Sequence, residues 1–263
     1  MIESLLGVLI SLALLIWSCD FAIKNSILIS HVYKIRPILV GIFIIAIGTS
    51  LPEFAATFQA LKLNSVGIVA GNLVGSNIAN ILLVGGIMLY PITRLVTDKR
   101  DKSTFLFFLI FSIVFFIFII FNFNIGYMYG VLLFGLLCFF IYFELKKPID
   151  ETNTISEITH SSSFFIILKI ILAFIALFFS SKYFIVYAKD LTSIFGVAET
   201  TIGITIVAFG TSLPEVIATI LSIVKKQNNL AIGNILGSNI ANIFGITIIA
   251  VLINGSINFY ELL

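Results

Sequence analysis

The stretch AIGTSLPEFAAT at residues 46–57 recurs as AFGTSLPEVIAT at residues 208–219, and each copy lies inside a long apolar run. A proline and a glutamate therefore stand twice in the middle of a hydrophobic segment. Proline lacks the backbone N–H that a helix interior requires, and an ionised carboxylate at the centre of a bilayer costs at least about 2.5–3.5 kcal/mol. A costly motif that is placed twice indicates a functional site inside a membrane.

The composition around these motifs is that of a polytopic membrane protein. Of the 263 residues, 60% are hydrophobic and 11% are charged, and the mean hydropathy is +1.17. These values exclude a soluble domain, and a net charge of +2 gives no reason to expect a nucleic-acid partner. Apolar runs long enough to cross the hydrocarbon core predict eight spans, at 4–23, 38–60, 66–90, 104–121, 125–143, 164–188, 200–224 and 229–253.

The basic residues predict how these spans are oriented. If the N-terminus is outside, eleven lysines and arginines fall in the inner loops and three on the outer side. Cytoplasmic loops carry the excess of basic residues in membrane proteins. We therefore expect an outside N-terminus and a cytoplasmic loop at 146–163, in the plasma or inner membrane of the cell.

The two motifs belong to an internal duplication. Glu215 lies 162 residues after Glu53, and with this offset 21 of the 41 positions in 41–81 are identical to their partners in 203–243. The first unit contains five predicted spans, and an odd number inverts the second copy in the membrane. The sequence thus predicts inverted repeats, typical of secondary transporters, with a first repeat at 1–145, a linker at 146–163 and a second repeat at 164–263.

The polar residues of the first motif share one helix face. Thr49, Glu53 and Thr57 are each four residues apart, and Pro52 leaves the carbonyl of Gly48 without its helical donor. The offset repeats the whole pattern in the second copy. Carboxylate, hydroxyl and carbonyl oxygens without nitrogen or sulfur are what a hard cation prefers.

The spans that follow carry GNLVGSNIAN at 71–80 and GNILGSNIAN at 233–242. Their asparagine and serine side chains recur every four residues and would complete a coordination shell, while the glycine pairs let these helices approach their neighbours closely. Two carboxylates among neutral oxygens suit one divalent cation, or a few monovalent cations that compete for the same oxygens. That competition is itself a mechanism of exchange.

The residues alone leave several functions open. A proton-coupled exchanger, a cation channel and a membrane protein that has lost transport all remain alternatives. An intramembrane enzyme is poorly supported, because the sequence has no Ser/His arrangement, paired aspartates or HExxH motif.

The paired GTSLPE motifs at 48–53 and 210–215, with the two GNxxGSNIxN motifs, resemble the α-repeats of the sodium/calcium exchanger (cation/calcium antiporter) superfamily. The resemblance implies an all-α membrane fold of ten helices in two inverted halves, which exchanges sodium for calcium without ATP or a cofactor. It places the calcium ligands at Glu53, Glu215, Thr49 and Thr211, and the middle of the site at Asn80 and Asn242. It places the sodium sites at Ser50, Ser212, Ser76, Ser238 and the carbonyls of Ala46 and Ala208.

Two departures from the family pattern modify these expectations. Asn242 stands where many relatives carry aspartate, and the missing charge tells against potassium co-transport. With the 162-residue offset, the fourth span would recur at 266, beyond Leu263. We therefore expect about eight of the ten helices, and an oligomer or a complementing fragment as the source of the other two.

Overall fold

The computed structural model describes residues 2–62, 66–87, 106, 113, 124–146, 163–194, 208–254 and 256–258, and these are nearly all helical. Two three-residue strands, β1 and β2, pair antiparallel with Ile125 opposite Ile257. The strands are β1 (Asn124–Gly126) and β2 (Ser256–Asn258). The helices are α1 (Ile2–Val32), α2 (Pro37–Thr49), α3 (Leu51–Lys62), α4 (66–87), α5 (Tyr127–Leu145), α6 (Ser163–Ile194), α7 (Ala208–Thr211), α8 (Leu213–Val224) and α9 (228–254).

Several of these helices can cross a membrane. Within the described ranges, Ile2–Val32, Ser163–Asp190 and Asn228–Ile253 are long and apolar enough to do so uninterrupted. The pair α2 and α3 makes a fourth candidate, bent by 46° where the sequence predicts a kink at Pro52. Of the predicted span at 104–121, the structure describes only residues 106 and 113.

The prediction that the first helix ends near residue 23 is wrong, because α1 continues to Val32. The polar residues beyond Ile23 are accommodated within the helix. Lys24 pairs with Asp20 one turn earlier at 2.7 Å, and the Asn25 amide donates to the Phe21 carbonyl at 2.7 Å. Such i, i+4 pairs support a helix and remove the reason for it to stop.

The longest helices, α1 and α6, pack against each other along their length. They begin and end at positions that match to within one residue under the 162-residue offset. Leu15, Ile23 and Leu177 are buried between this pair and α8, whereas large apolar side chains such as Trp17 and Phe164 are exposed where lipid would surround them. The pairing of equivalent helices is the arrangement expected of two inverted repeats.

A second close contact brings α2 of the first repeat against α9 of the second. A Cβ on Gly41 would lie 2.8 Å from the Gly233 Cα, and one on Gly237 would lie 2.5 Å from the Ile42 Cα. Real side-chain carbons do not approach backbone so closely, so only glycine fits at these positions. The predicted packing role of Gly233 and Gly237 is confirmed, but the same prediction for Gly71 and Gly75 is not, because no described atom lies within 4 Å of a Cβ at either position.

A buried ion pair joins α2 to α5. Arg36, directly before α2, donates from Nη1 to Glu144 Oε2 at 3.1 Å, and the side chains are 9% and 0% exposed. Because both side chains are buried, removal of either one takes a charged hydrogen-bond partner from the other. The pair therefore fixes the beginning of α2 to the end of α5.

We expect Arg36→Ala or Glu144→Gln to lower the free energy of unfolding by about 1.5–3 kcal/mol, since either change removes a hydrogen bond between two charged, buried groups. Denaturant unfolding in detergent measures this. Lys24→Ala is the control, because Lys24 is 61% exposed and loss of its surface pair should cost less than about 1 kcal/mol. Equal effects of the buried and exposed substitutions would contradict the role assigned to the Arg36–Glu144 pair.

Candidate cation site

The site is built around two breaks in the helices, one in each repeat. Between α2 and α3 the backbone leaves the helical region at Ser50, with φ −83° and ψ 6°, and between α7 and α8 it does so at Ser212, with φ −86° and ψ 0°. Pro52 and Pro214 stand at the second position of the helix that follows. Because proline accepts the first turn of a helix but not its interior, the sequence itself dictates where each helix breaks.

The residues predicted for the site lie in the interior. Eleven of the twelve are buried, and both glutamates and both serines at the breaks are completely buried. For the twelfth, Ala208, the structure describes only its place at the beginning of α7. Such a concentration of polar side chains inside a membrane protein is costly unless hydrogen bonds or a bound cation compensate it.

Hydrogen bonds across the two repeats bring the predicted residues together. The Ser50 hydroxyl donates to Glu215 Oε1 at 3.0 Å. The Thr49 hydroxyl lies 3.4 Å from the Ser238 hydroxyl and 3.3 Å from Asn234 Oδ1. The break of the first repeat is thus joined directly to the carboxylate and the polar stripe of the second.

Several polar atoms in this interior have no hydrogen-bond partner among the described residues. Those that belong to the predicted site residues are both carboxylate oxygens of Glu53, Oε2 of Glu215, the Ser212 hydroxyl, and the whole side-chain amides of Asn80 and Asn242. Buried polar atoms are rarely left unpaired, and such atoms often bind an ion or a water molecule. This set contains two carboxylates, a hydroxyl and two amide oxygens, all of which suit a hard cation.

The two carboxylates lie close enough to each other to interact electrostatically. In the described part of the chain, no lysine, arginine or histidine forms an ion pair with Glu53 or Glu215. The charge of an ionised pair must therefore be balanced by something other than these side chains. A cation between the carboxylates would balance it and would relieve their mutual repulsion.

The amide nitrogens of Asn72 and Asn234 have a task that the sequence did not predict. The Asn72 amide nitrogen donates to the Glu53 carbonyl at 3.0 Å and to the Thr57 hydroxyl at 2.8 Å. The Asn234 amide donates to the Glu215 carbonyl at 3.2 Å and to the Thr219 hydroxyl at 3.0 Å. Each asparagine therefore fastens the helix that carries a glutamate to the helix that follows. The sequence signal for this role is that the 162-residue offset places an asparagine at both positions.

Asn80 and Asn242 stand at wide helical turns that the sequence did not predict. The π-helical segments Asn80–Val84 and Ala241–Ile246 interrupt α4 and α9 at equivalent places in the two repeats. A π turn has one extra residue per turn, so it changes the direction of the side chains around it and often occurs at functional sites. The regular four-residue spacing from Asn72 to Asn80 gave no indication of it.

The backbone carbonyls agree less well with the predicted sodium sites. The Ala46 carbonyl already accepts from the Ser50 N–H at 3.0 Å and lies 3.1 Å from the Thr49 hydroxyl. The Gly210 carbonyl receives no hydrogen bond from Pro214, because proline has no backbone N–H. It lies 3.4 Å from the Ser181 hydroxyl of α6. A cation at the Ala46 carbonyl would share the oxygen with the Ser50 N–H and the Thr49 hydroxyl, or it would displace that hydroxyl.

With this geometry in view, comparisons with known proteins identify a family. The profile of the family described as "Sodium/calcium exchanger protein" matches residues 3–146 and 165–262. CaxA of Alkalimonas amylolytica is 32% identical over 260 residues, which cover 94% of this chain and 79% of that protein. The sodium/calcium exchanger MaX1 of Methanosarcina acetivorans is 29% identical and covers 90% of this chain and 79% of its own.

The fold agrees with a solved exchanger. The structure is similar to that of the sodium-calcium exchanger NCX_Mj, with a TM-score of 0.82 and 27% sequence identity. The similarity covers 99% of this chain and 85% of that one. It extends to NCX_Mj crystals soaked with Na⁺ and Ca²⁺ or with Na⁺ and Sr²⁺. The predicted all-α inverted-repeat exchanger fold is confirmed.

Proposed function

The chain belongs to the sodium/calcium exchanger protein family and is thus a cation/calcium antiporter by type, and we propose that it exchanges sodium for calcium by alternating access. In this proposal Glu53 and Glu215 bind both ions in turn. Thr49 and Thr211 complete the calcium shell with them, and Asn80 and Asn242 supply amide oxygens at its centre. The sodium ions use the serines that flank this shell, Ser50, Ser212, Ser76 and Ser238.

The observation that carries this proposal is the set of unpaired oxygens between the two repeats. Both oxygens of Glu53 and one of Glu215 are buried without a partner among the described residues, next to two amides in the same condition. Such a set favours a cation that loses its water on binding. Because the ligands come from both repeats, the site lies at their interface, as in transporters built from inverted repeats.

Exchange follows from the charge of the site. Two facing carboxylates in a region of low dielectric constant repel each other when no cation is bound, which makes the empty site unfavourable. A return between inward and outward states without a cation is therefore discouraged. One calcium ion leaves only when sodium ions replace its positive charge, and this couples the two fluxes without ATP.

Proton-coupled calcium exchange is the second candidate, and Glu53 is the observation that favours it. A buried carboxylate that accepts no hydrogen bond from the described residues is balanced equally well by a proton as by a cation. If one glutamate alternates between these two partners, a pH gradient would drive calcium transport. Transport measured with each gradient alone distinguishes sodium from protons as the coupling ion.

We also propose the orientation predicted from the basic residues, with the N-terminus outside. The excess of basic residues supports this assignment of the sides, and the contacts agree with the predicted division of the loops between two sides of the membrane. The paired strands β1 and β2 both lie on the predicted outer side. Asp20 and Lys225, which form an ion pair at 2.6 Å, both lie near the predicted inner side. Glu144 and Arg36 likewise meet on the predicted inner side.

The test is uptake of radiolabelled calcium into proteoliposomes that contain the purified chain, with an opposing sodium gradient, an opposing pH gradient, or neither. We expect uptake only when the sodium gradient is present. Uptake driven by the pH gradient alone would assign the proton-coupled mechanism, and flux without any counter-ion would indicate a channel.

If no calcium uptake is measured with any of these gradients, the last two helices of a ten-helix relative would be appended to the chain. Recovery of sodium-driven uptake would show that the eight predicted spans need these helices for transport. If the extended protein also takes up no calcium, and calcium has no effect on the unfolding temperature, the proposed function is overturned.

A further inference from the structure

The Gly210 carbonyl is a backbone group that the helix cannot satisfy by itself. Its normal donor would be the N–H of residue 214, but Pro214 has none. Gly210 is buried, and a Cβ in its place would lie 2.7 Å from Cγ1 of Ile185, so α6 packs directly against this peptide. The Ser181 hydroxyl of α6, itself completely buried, lies 3.4 Å from the carbonyl oxygen and donates to it.

This bond distinguishes Ser181 from its neighbour Ser180 and from Ser18 of α1. Ser180 donates to Leu177 at 2.9 Å and Ser18 to Leu15 at 3.0 Å, each within its own helix. Those bonds are typical of serine in a membrane helix and carry no information about a neighbouring helix. Ser181 instead donates across to the segment that contains Thr211 and Ser212.

The repeat symmetry adds a second contact at the same break. The partner of Ser181 under the 162-residue offset is Cys19 of α1, and its Sγ lies 3.9 Å from the Pro214 carbonyl. The two equivalent side chains thus contact the second repeat on either side of Ser212. Glu215 and Thr211 lie between or beside these contacts, so α1 and α6 both determine where the second half of the site stands.

We propose that Ser181 is a positioning residue for the cation site, which holds the peptide freed by Pro214 so that Thr211 and Ser212 face the cation. Cys19 performs a weaker version of the same task from α1, since a thiol is a poorer donor than a hydroxyl. This inference rests on the proposed function, because it needs a cation bound between the two breaks. It assigns to α6 a role that neither motif contains.

The experiment measures the calcium concentration that gives half of the maximal rise in unfolding temperature, in detergent, and the half-saturating calcium concentration and maximal rate of uptake in proteoliposomes. Ser181→Ala should raise both half-saturating concentrations about three- to tenfold, since it removes one hydrogen bond that positions the ligands. The maximal rate should stay within about twofold. A purely structural role would lower the amount of active protein, and with it the rate, but not the affinity.

Matched variants make the result specific. Ser180→Ala, which removes a hydroxyl bonded within its own helix, should leave the half-saturating concentrations unchanged, and Ser181→Thr should restore them. If Ser181→Ala does not fold, Ser181→Cys, which keeps a weak donor, should give an intermediate value.

Each outcome is informative about one claim. Equal half-saturating concentrations in Ser181→Ala and Ser180→Ala would overturn the inference while leaving the proposed function intact. Calcium-dependent stabilisation that responds to Ser181 in a protein without flux would overturn transport and keep the positioning role. A wild-type protein that calcium does not stabilise at all overturns both.

Discussion

Glu53→Gln and Glu215→Gln are each expected to abolish sodium-driven calcium uptake, with a loss of at least about a hundredfold at limiting calcium. Glutamine keeps the shape of the side chain but removes one of the two charges that balance the cation. In a buried site of low dielectric constant, removal of one charge–charge attraction amounts to several kcal/mol, and about 2.7 kcal/mol already corresponds to a hundredfold. Calcium uptake into proteoliposomes measures the loss, with Glu3→Gln at an exposed position of α1 as control.

The unfolding temperature separates a lost ligand from a lost fold. Without cations, Glu53→Gln should unfold at the same temperature as the wild type or higher, since it removes a buried carboxylate that has no partner among the described residues. With calcium it should lose the stabilisation that the wild type shows. A variant that still takes up calcium at the wild-type rate would remove Glu53 from the site.

Asn234→Ala is expected to have the second-largest effect, a fall of about ten- to a hundredfold in calcium uptake together with a lower unfolding temperature. The Asn234 amide holds the Glu215 carbonyl and the Thr219 hydroxyl, and its oxygen lies within reach of the Thr49 hydroxyl. Each buried group left without its partner costs about 1–3 kcal/mol. Part of this cost falls on the position of Glu215 and appears as weaker calcium binding.

Asn239→Ala is the matched control, because the Asn239 amide donates only to Ile235 of its own helix at 2.9 Å. Both asparagines are completely buried in α9, so the two substitutions remove the same atoms from similar surroundings. We expect the control to retain most of its uptake. If the two variants lose uptake equally, the bond to Glu215 has no special role and general packing of α9 explains the effect.

Much of the architecture follows from the sequence because the features that decide it are local and repeated. The breaks at Ser50 and Ser212 follow from Pro52 and Pro214, since no helix interior accommodates proline without a break or kink. The close approach of α2 and α9 follows from glycines that leave room for backbone contact. The 162-residue offset then transfers each feature from one repeat to the other, which is why the fold class could be predicted without a structure.

The predicted site residues are brought together, but their individual contacts depend on distances that no motif encodes. Asn72 and Asn234 have the same chemistry as Asn80 and Asn242, yet one pair fastens helices and the other is left unpaired among the described residues. The second pair stands in the π-helical segments Asn80–Val84 and Ala241–Ile246, which the spacing does not reveal. Ser181 is a clearer case still, because its acceptor lies on another helix.

The two attachments of α5 have a mechanical consequence. At one end, β1 directly precedes α5 and is bonded to β2, which follows α9, and at the other end Glu144 is bonded to Arg36 at the start of α2. Helix α5 is therefore attached at both ends, and the distance between its two attachment points is fixed. A movement that opens the site to each side of the membrane in turn must therefore rotate around α5, or it must break the β1–β2 pairing or the Arg36–Glu144 ion pair.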